Sequence, residues 1–254
     1  MAYYSTTTPT PSFLLFFFPT LAAFLWSLLF FSSSSAAYAT TTGLVSLQLS
    51  SSEAEALLKW KATLLSYSVA ALDSWKLTTT SSPSPNTTST NTTSSSCNWF
   101  GITCNKVGSV VEINLPETEL QGTLDNFTFS SFPNLLRLNL SLNELTGPIP
   151  EHVGSLSKLT HLDLSYNNLS SVIPPTLSNL SSLQFLDLDY NDINGTIPLE
   201  LGNMNSLVVL SLGWNKLTGM IPPVLANLSN IRFLYLHNIE LSGPIPSELL
   251  GFRV

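Results

Sequence analysis

The segment Leu156-Ser-Lys-Leu-Thr-His-Leu-Asp-Leu-Ser-Tyr-Asn-Asn-Leu169 recurs, with substitutions, every 24 residues along the second half of the chain. Further copies begin at Phe132, Leu180, Met204 and Leu228, and a slightly longer first copy starts near Val107. Coincidence cannot produce so many matching positions in five copies. One such unit is too short to bury its own leucines, whereas stacked units form a continuous core, so the period predicts a repeat protein.

Three columns of the repeat are apolar. They read Leu138, Leu162, Leu186, Leu210 and Leu234; Leu140, Leu164, Leu188, Leu212 and Leu236; and Ile149, Ile173, Ile197, Ile221 and Ile245, each isoleucine followed by proline. The leucines alternate with polar neighbours, as in a β-strand with one buried face. A fourth column holds Asn143, Asn167, Asn191 and Asn215. It falls where the strand must turn, so its amides can pair with backbone groups that the turn would bury.

The consensus L-x-x-L-x-L-x-L-x-x-N-x-L matches the leucine-rich repeat. We therefore predict an α/β leucine-rich-repeat solenoid, a right-handed curved stack with a parallel β-sheet on its concave face. Six repeats should occupy residues 107–251, and residues 252–254 should begin a truncated seventh. In the sixth repeat Ile239 replaces the asparagine, and we expect the leucines of this last unit to be exposed at an open end: Leu234, Leu236, Leu241 and Leu249.

A helical N-terminal cap is predicted over residues 52–106. The stretch Ser52-Glu-Ala-Glu55 has the form of a capping box, in which the serine and the second glutamate satisfy each other's backbone N–H groups. Leu57, Trp60 and Leu64 follow at helical spacing and predict a short amphipathic helix.

The second part of the cap contains a low-complexity insert and the two cysteines of the chain. Every residue from 78 to 96 is Ser, Thr, Pro or Asn, so we expect this insert to be a disordered loop. Cys97 and Cys104 have no other cysteine to pair with, and in an oxidising compartment we expect a disulfide between them. Their spacing is not the C-x-x-C of a redox-active pair.

The N-terminus is typical of a secretory signal. An apolar run from Phe13 to Phe31 is followed by Ala37-Tyr38-Ala39, which fits a signal-peptidase site, so residues 1–39 are predicted to be a signal peptide. The run is nearly long enough to span a bilayer, which leaves an uncleaved anchor as the alternative. A cleaved signal and an uncleaved anchor would both place the remainder of the chain on the luminal or extracellular side of the membrane. Eight N-x-S/T sequons would then be glycan acceptors: Asn86, Asn91, Asn126, Asn139, Asn168, Asn179, Asn194 and Asn227.

The composition excludes several classes of protein. The 254 residues carry 9 Lys and Arg against 16 Asp and Glu, a net charge of −7, so no basic patch for nucleic acid is expected. With 2 Cys and 3 His the chain has too few ligands for a zinc ribbon. No metal and no cofactor are predicted. The segment from Asp187 resembles the start of a calcium-binding loop, but Asp192 stands where that loop requires glycine and Pro198 where it requires glutamate.

Two segments of the form L-T-G-x-I-P, Leu145–Pro150 and Leu217–Pro222, and the block from Glu55 to the cysteine pair resemble the ectodomains of plant leucine-rich-repeat receptor-like kinases. The resemblance covers roughly residues 52 to 251. It implies an extracellular solenoid that binds peptide or protein ligands, often with a co-receptor ectodomain, at the cell surface or in the cell wall. The kinase motifs, the membrane span that follows the repeats in this family and a C-terminal cap are not found in the sequence. We therefore expect no enzyme activity. We also expect a truncated gene product, or one that needs a partner at its C-terminal end.

Outward strand positions beside the leucines form the predicted ligand-binding face. They are Arg137, His161, Asp163, Tyr166, Phe185, Asp187, Asp189, Tyr190, Ser211, Trp214, Phe233 and Tyr235. Tyr166, Tyr190 and Trp214 share one column and should stack about 4.8 Å apart. The three aspartates favour a peptide with basic groups, and a glycan on Asn139 would block the face.

Other functions receive less support from the residues. His161, Asp163 and Ser211 are the residue types of a hydrolase catalytic triad. The predicted face is shallow, however, and the sequence indicates no backbone donors for an oxyanion, so we do not expect hydrolase activity. A secreted inhibitor of cell-wall hydrolases, similar to polygalacturonase-inhibiting proteins, shares the repeat but usually has more units and a cysteine-containing C-terminal cap. A non-functional gene fragment is the third alternative.

Overall fold

The computed structural model describes residues 52–65, 70–79, 92–93 and 95–251. The predicted signal segment, 1–39, and residues 252–254 lie outside this part of the chain. Within these ranges an N-terminal helix precedes a series of short strands and 3-10 turns. No helix in the described ranges has both the length and the apolar character needed to cross a bilayer.

The N-terminal helix, α1, spans 52–61. Its apolar side chains pack into the same core as those of the repeats. Leu57 and Trp60 are fully buried, as their helical spacing predicts. The Trp60 ring lies 5.0 Å from the ring of Phe127, and its Nε1 donates to the backbone carbonyl of Thr123 at 3.0 Å. The cap and the first repeat therefore share one apolar core.

A buried carboxylate fixes the same helix to the repeats. Glu53 accepts a hydrogen bond from the Ser109 hydroxyl at 2.6 Å and another from the Val110 backbone N–H at 2.9 Å. Burial raises the pKa of Glu53, and the two hydrogen bonds act in the opposite direction. Its partners lie more than fifty positions along the chain, so the capping-box pattern alone did not indicate this contact.

The ends of the low-complexity insert differ from the expected disordered loop. Thr78–Thr79, β1, pairs in antiparallel register with Thr92–Thr93, β2. Strand pairing uses backbone groups and needs no apolar side chain, so composition could not exclude it. Residues 80–91 and 94 of the insert lie outside the described part. The predicted disulfide between Cys97 and Cys104 is confirmed, with an S–S distance of 2.05 Å.

The first sheet of the repeats, here named the inner sheet, has seven strands. They are β3 (Ile102–Cys104), β4 (Val110–Asn114), β6 (Arg137–Asn139), β8 (His161–Asp163), β10 (Phe185–Asp187), β12 (Val209–Ser211) and β14 (Phe233–Tyr235). They lie in the order β14-β12-β10-β8-β6-β4-β3, and all pairs except β3 with β4 are parallel. From β6 to β14 each residue pairs with its counterpart 24 positions on, as Leu162 does with Leu186, which confirms the predicted parallel sheet.

A second parallel sheet follows the turn of each repeat. Its six strands are β5 (Gln121–Thr123), β7 (Glu144–Pro148), β9 (Asn168–Val172), β11 (Asp192–Thr196), β13 (Lys216–Gly219) and β15 (Glu240–Leu241). The sequence did not predict this sheet, because each of its four central strands, β7, β9, β11 and β13, buries only one residue and shows no alternating apolar face. Ser171 has φ +73° where the other repeats place glycine, so it carries backbone strain that glycine would avoid.

The isoleucine–proline column leads into a 3-10 turn that returns the chain to the next inner strand. The turns are Glu151–Ser155, Pro175–Asn179, Leu199–Asn203, Pro223–Asn227 and Ser247–Gly251. The column prolines Pro150, Pro174, Pro198 and Pro222 occupy the residue before the first four turns, with extended backbone angles that proline adopts readily.

The asparagine column forms the predicted backbone ladder. Asn191 accepts from the Leu169 backbone N–H at 2.9 Å through Oδ1. Its Nδ2 donates to the carbonyls of Leu164 at 3.0 Å, Leu188 at 3.1 Å and Asp189 at 3.2 Å. One side chain thus connects two consecutive repeats, and it replaces water for groups that the turn removes from solvent.

Burial decreases toward the last repeat. Leu234, Leu236 and Leu241 are partly exposed, as expected for these three leucines. The expectation for Leu249 was wrong, because this side chain is only 8% exposed. It lies in the turn Ser247–Gly251, which contacts the turn of the preceding repeat and thereby covers the leucine.

Candidate ligand-binding face

The inner strands present two columns of side chains away from the leucine core, and we name these columns the inner face. The first column is Arg137, His161, Phe185, Val209 and Phe233; the second is Asn139, Asp163, Asp187, Ser211 and Tyr235. Asp189 lies two residues beyond the end of β10. Because the repeats are in register, residues predicted from separate copies lie on adjacent strands.

Tyr166, Tyr190 and Trp214 form an aromatic column at the corner where each inner strand ends. Ring centroids of the two tyrosines are 4.2 Å apart with planes at 11°, and those of Tyr190 and Trp214 are 4.9 Å apart at 15°. The predicted stacking is confirmed. All three side chains remain between one third and one half exposed, so the column keeps free ring edges.

The backbone at this column was not anticipated. Tyr166, Tyr190 and Trp214 have φ of +52°, +53° and +48°, in the left-handed region that costs an L-residue roughly 1–2 kcal/mol. Asn238, which tolerates this conformation better, occupies the same position in the last repeat. Leu142, at the same position of the repeat that begins at Phe132, is also left-handed with φ +56°, so this conformation belongs to the corner of each repeat and does not distinguish the aromatic column.

The first column of the inner face begins with a charged pair and continues with stacked rings. Arg137 Nε lies 3.4 Å from a carboxylate oxygen of Glu112. The rings of His161 and Phe185 stack at 4.2 Å with planes at 8°. Burial lowers the pKa of His161 and the nearby charge of Arg137 lowers it further, so this imidazole is neutral at pH 7.

Three carboxylates occupy the centre of the face. One oxygen of each accepts a backbone N–H: Asp163 from Ser165, Asp187 from Asp189, and Asp189 from Gly213. No lysine or arginine of the described part forms an ion pair with any of them. Burial raises the pKa of Asp187 to about 6, and the charges of Asp189 and Asp163 add to the effect. The face thus holds negative charge that the protein does not neutralise.

Ser211 is the predicted site residue that the inner face does not expose. Its residue surface is 3% accessible. Its short side chain lies between its register partners Asp187 and Tyr235 on the neighbouring strands, and both of these are longer. Ser211 is therefore not available to a ligand in this structure.

Family comparisons agree with the repeats and the cap. Residues 50–105 match the leucine rich repeat N-terminal domain, and residues 149–193, 134–156 and 206–228 match leucine rich repeats. The fold and these matches define the class: the chain is a leucine-rich-repeat protein with an N-terminal cap domain.

Within leucine-rich-repeat proteins, the chain is similar in sequence to plant receptor-like kinases. The chain is 39% identical over 126 residues to "MDIS1-interacting receptor like kinase 2" of Arabidopsis thaliana, an alignment that covers 46% of this chain and 11% of the relative. It is 44% identical over 112 residues to a probable leucine-rich repeat receptor-like protein kinase of the same plant, covering 44% of this chain and 9% of the relative. The chain is thus similar to plant leucine-rich-repeat receptor-like kinases, and spans about a tenth of their length.

Solved structures show the same solenoid. The ectodomain of BIR2 from Arabidopsis thaliana has a TM-score of 0.61 at 28% identity, over 76% of this chain and 96% of that one. PEPR1 in complex with AtPEP1 has 0.60 at 29%, over 77% and 29%. The Arabidopsis receptor kinase HAESA, in complex with the peptide hormone IDA and the co-receptor SERK1, has 0.57 at 29%, over 77% and 35%.

Proposed function

We propose that this chain is an extracellular binding module whose inner face holds an extended peptide or protein segment with basic groups, in cell-surface perception. The observation that carries the proposal is the set of three aspartates without an ion-pair partner in the described part of the chain, flanked by aromatic side chains. Aromatic residues beside charged groups are typical of the centres of binding interfaces. The proposed role is binding without catalysis.

The size of the face fits a short extended ligand. Parallel strands lie about 4.8 Å apart, so the six parallel strands from β4 to β14 extend over roughly 24 Å. An extended chain covers about 3.3–3.6 Å per residue, which gives a ligand of about seven residues. A lysine or arginine near the middle of such a ligand would lie opposite Asp187.

The comparisons support an external location and a second partner. PEPR1 and HAESA were solved with AtPEP1 and the peptide hormone IDA, and the HAESA complex also contains the co-receptor SERK1. We propose that this chain likewise lies outside the cell and that a co-receptor ectodomain binds next to its peptide ligand. The secretory signal predicted over 1–39 is in agreement.

A defined peptide tests the proposal. We expect a fluorescein-labelled heptapeptide in which lysine alternates with leucine to bind the secreted protein, and its glutamate-for-lysine counterpart not to bind. Combining Asp187→Ala with Trp214→Ala should weaken binding at least about tenfold, because it removes one charge and one aromatic anchor. Fluorescence anisotropy measures both. Asp73→Ala in the exposed part of the cap is the matched control.

The pH dependence of the same measurement gives an independent check. The pKa of Asp187 is about 6 in the free protein, and a bound ammonium group would lower it, so binding should release a proton. Affinity should therefore rise from pH 5 to pH 7.5, and Asp187→Ala should flatten this rise. Equal binding of both peptides, or full binding by the double variant, would contradict the proposal.

A further inference from the structure

A groove of about 580 Å³ crosses three repeats at the point where the second sheet leads into the 3-10 turns, and we name it the turn groove. Its two walls come from two positions of the repeat, the end of the second-sheet strand and the first residue of the turn: Val172, Thr196 and Met220, and Pro175, Leu199 and Pro223. The isoleucine–proline column lines it between these positions. No residue of the inner face or of the aromatic column lines the turn groove, so it is a separate surface.

The walls of the turn groove expose large apolar side chains. Leu199 is 63% exposed, Met220 67% and Val172 51%. The first wall rests on the bare backbone of the next repeat, because a Cβ at Gly195 would come within 2.8 Å of Val172 Cγ1 and only glycine leaves this side chain its place. The wall is therefore set by the stacking of the repeats, and apolar side chains exposed together in this way mark interaction sites.

The charges along the turn groove are acidic. Three glutamates, and no lysine or arginine, occupy the first two positions of the five turns: Glu151, Glu200 and Glu248. Glu200 lines the groove, and the other two lie in the turns just beyond its ends. All three are exposed, and none has an ion-pair partner in the described ranges, where Lys216 of the second sheet is paired with Asp192 at 2.6 Å. The turn groove therefore complements positive charge placed beside apolar side chains.

The backbone of the turn groove favours a helical partner over an extended one. Pro175, Pro198, Pro222 and Pro223 line it, and proline has no N–H to donate. An extended segment lying there would leave part of its own N–H and C=O groups unpaired against apolar side chains, which costs free energy. An α-helix pairs its backbone groups internally and presents only side chains to such a surface.

We propose that the turn groove is a docking site for a basic amphipathic helix of a partner protein. Aliphatic side chains of the helix lie between the two walls, and its lysines or arginines lie opposite Glu151, Glu200 and Glu248. Successive glutamates are two repeats apart, which at the strand spacing is roughly 10 Å, or about seven residues of α-helix. Basic residues at every seventh position, with leucines on the adjoining face of the helix, match both the charges and the apolar walls.

A labelled helical peptide of about fifteen residues tests the proposal against the full secreted chain. It carries lysine at every seventh position, leucine on the adjoining face and fluorescein, and fluorescence anisotropy measures its binding. We expect Leu199→Ser and Glu200→Lys each to weaken binding at least about fivefold, because one removes apolar contact and the other reverses a charge. The matched controls should bind as the wild type does. They are Val107→Ser, at a side chain that is also 63% exposed but lies between β3 and β4, and Asp73→Lys, which makes the same charge change in the cap.

The other possible occupants are distinguished by further measurements. Equal binding of a peptide of the same charge with proline at its centre would overturn the helix as the occupant. A wild type that sediments as a dimer, and becomes a monomer with Leu199→Ser, would show that a second copy of the chain fills the turn groove and would also overturn the proposal.

The inner-face variant separates this proposal from the proposed function. The protein that combines Asp187→Ala with Trp214→Ala should bind the helical peptide as the wild type does. Loss of binding in this variant without loss in Leu199→Ser would place the helical peptide on the inner face and overturn the docking site. No binding to the wild type would overturn it as well, and would leave the heptapeptide result on the inner face unaffected.

Discussion

Replacing Trp60 by alanine is expected to lower the free energy of unfolding by about 3–5 kcal/mol, the range measured for buried tryptophan and phenylalanine. Trp60 is fully buried, lies 5.0 Å from Phe127 and 6.3 Å from Trp75, and donates a hydrogen bond to the Thr123 carbonyl. Its removal leaves a cavity between the cap and the first repeat and an unpaired buried carbonyl.

The same substitution at Trp214 is the matched control. Trp214 is 45% exposed and stacks on Tyr190 at 4.9 Å, so alanine there should cost clearly less, about 0.5–1.5 kcal/mol. Urea unfolding followed by circular dichroism gives both values. Equal destabilisation by the two variants would show that the cap does not share the core of the repeats.

Replacing Asn191 by alanine is expected to cost about 3 kcal/mol. The substitution leaves the buried Leu169 N–H without its acceptor, at a cost of about 1–3 kcal/mol. It also removes one of the two asparagine donors to each of the carbonyls of Leu164 and Leu188. Since these groups belong to two neighbouring repeats, the loss should also reduce the cooperativity between repeats.

Asn203→Ala provides the comparison for Asn191→Ala. Asn203 is exposed at the end of the turn Leu199–Asn203, so its replacement should change stability by no more than about 0.5 kcal/mol. Thermal unfolding of the two variants beside the wild type measures the difference. An Asn191→Ala protein as stable as Asn203→Ala would mean that the ladder bonds contribute nothing beyond what water supplies.

Repetition explains why much of the fold was predictable. Five copies align the leucines and asparagines, so the spacing gave the buried strand face, the ladder and the stacking of Tyr166, Tyr190 and Trp214 directly. Contacts between distant segments carry no such repetition. The bonds from Glu53 to Ser109 and Val110 occur once, and no local pattern distinguishes this glutamate from an exposed one on the same helix.

Backbone conformation and side-chain length limited the prediction of the candidate site. The left-handed φ at Tyr190 contradicts the preference of an aromatic residue, so the sequence offers no signal for it. Ser211 occupies an outward position by spacing, yet its longer neighbours bury it. The second sheet was missed because each of its central strands buries a single residue, so its sequence shows no alternating apolar face.

Selection from a random library of seven-residue peptides tests most directly whether the inner face binds a basic extended ligand. The wild-type protein and the variant that combines Asp187→Ala with Trp214→Ala, both secreted and immobilised, would be screened side by side. We predict that the wild type enriches peptides rich in lysine and arginine, and that the variant retains this pool at least about tenfold less well. An enriched pool that both proteins retain equally, or no enrichment on the wild type, would contradict binding at this face.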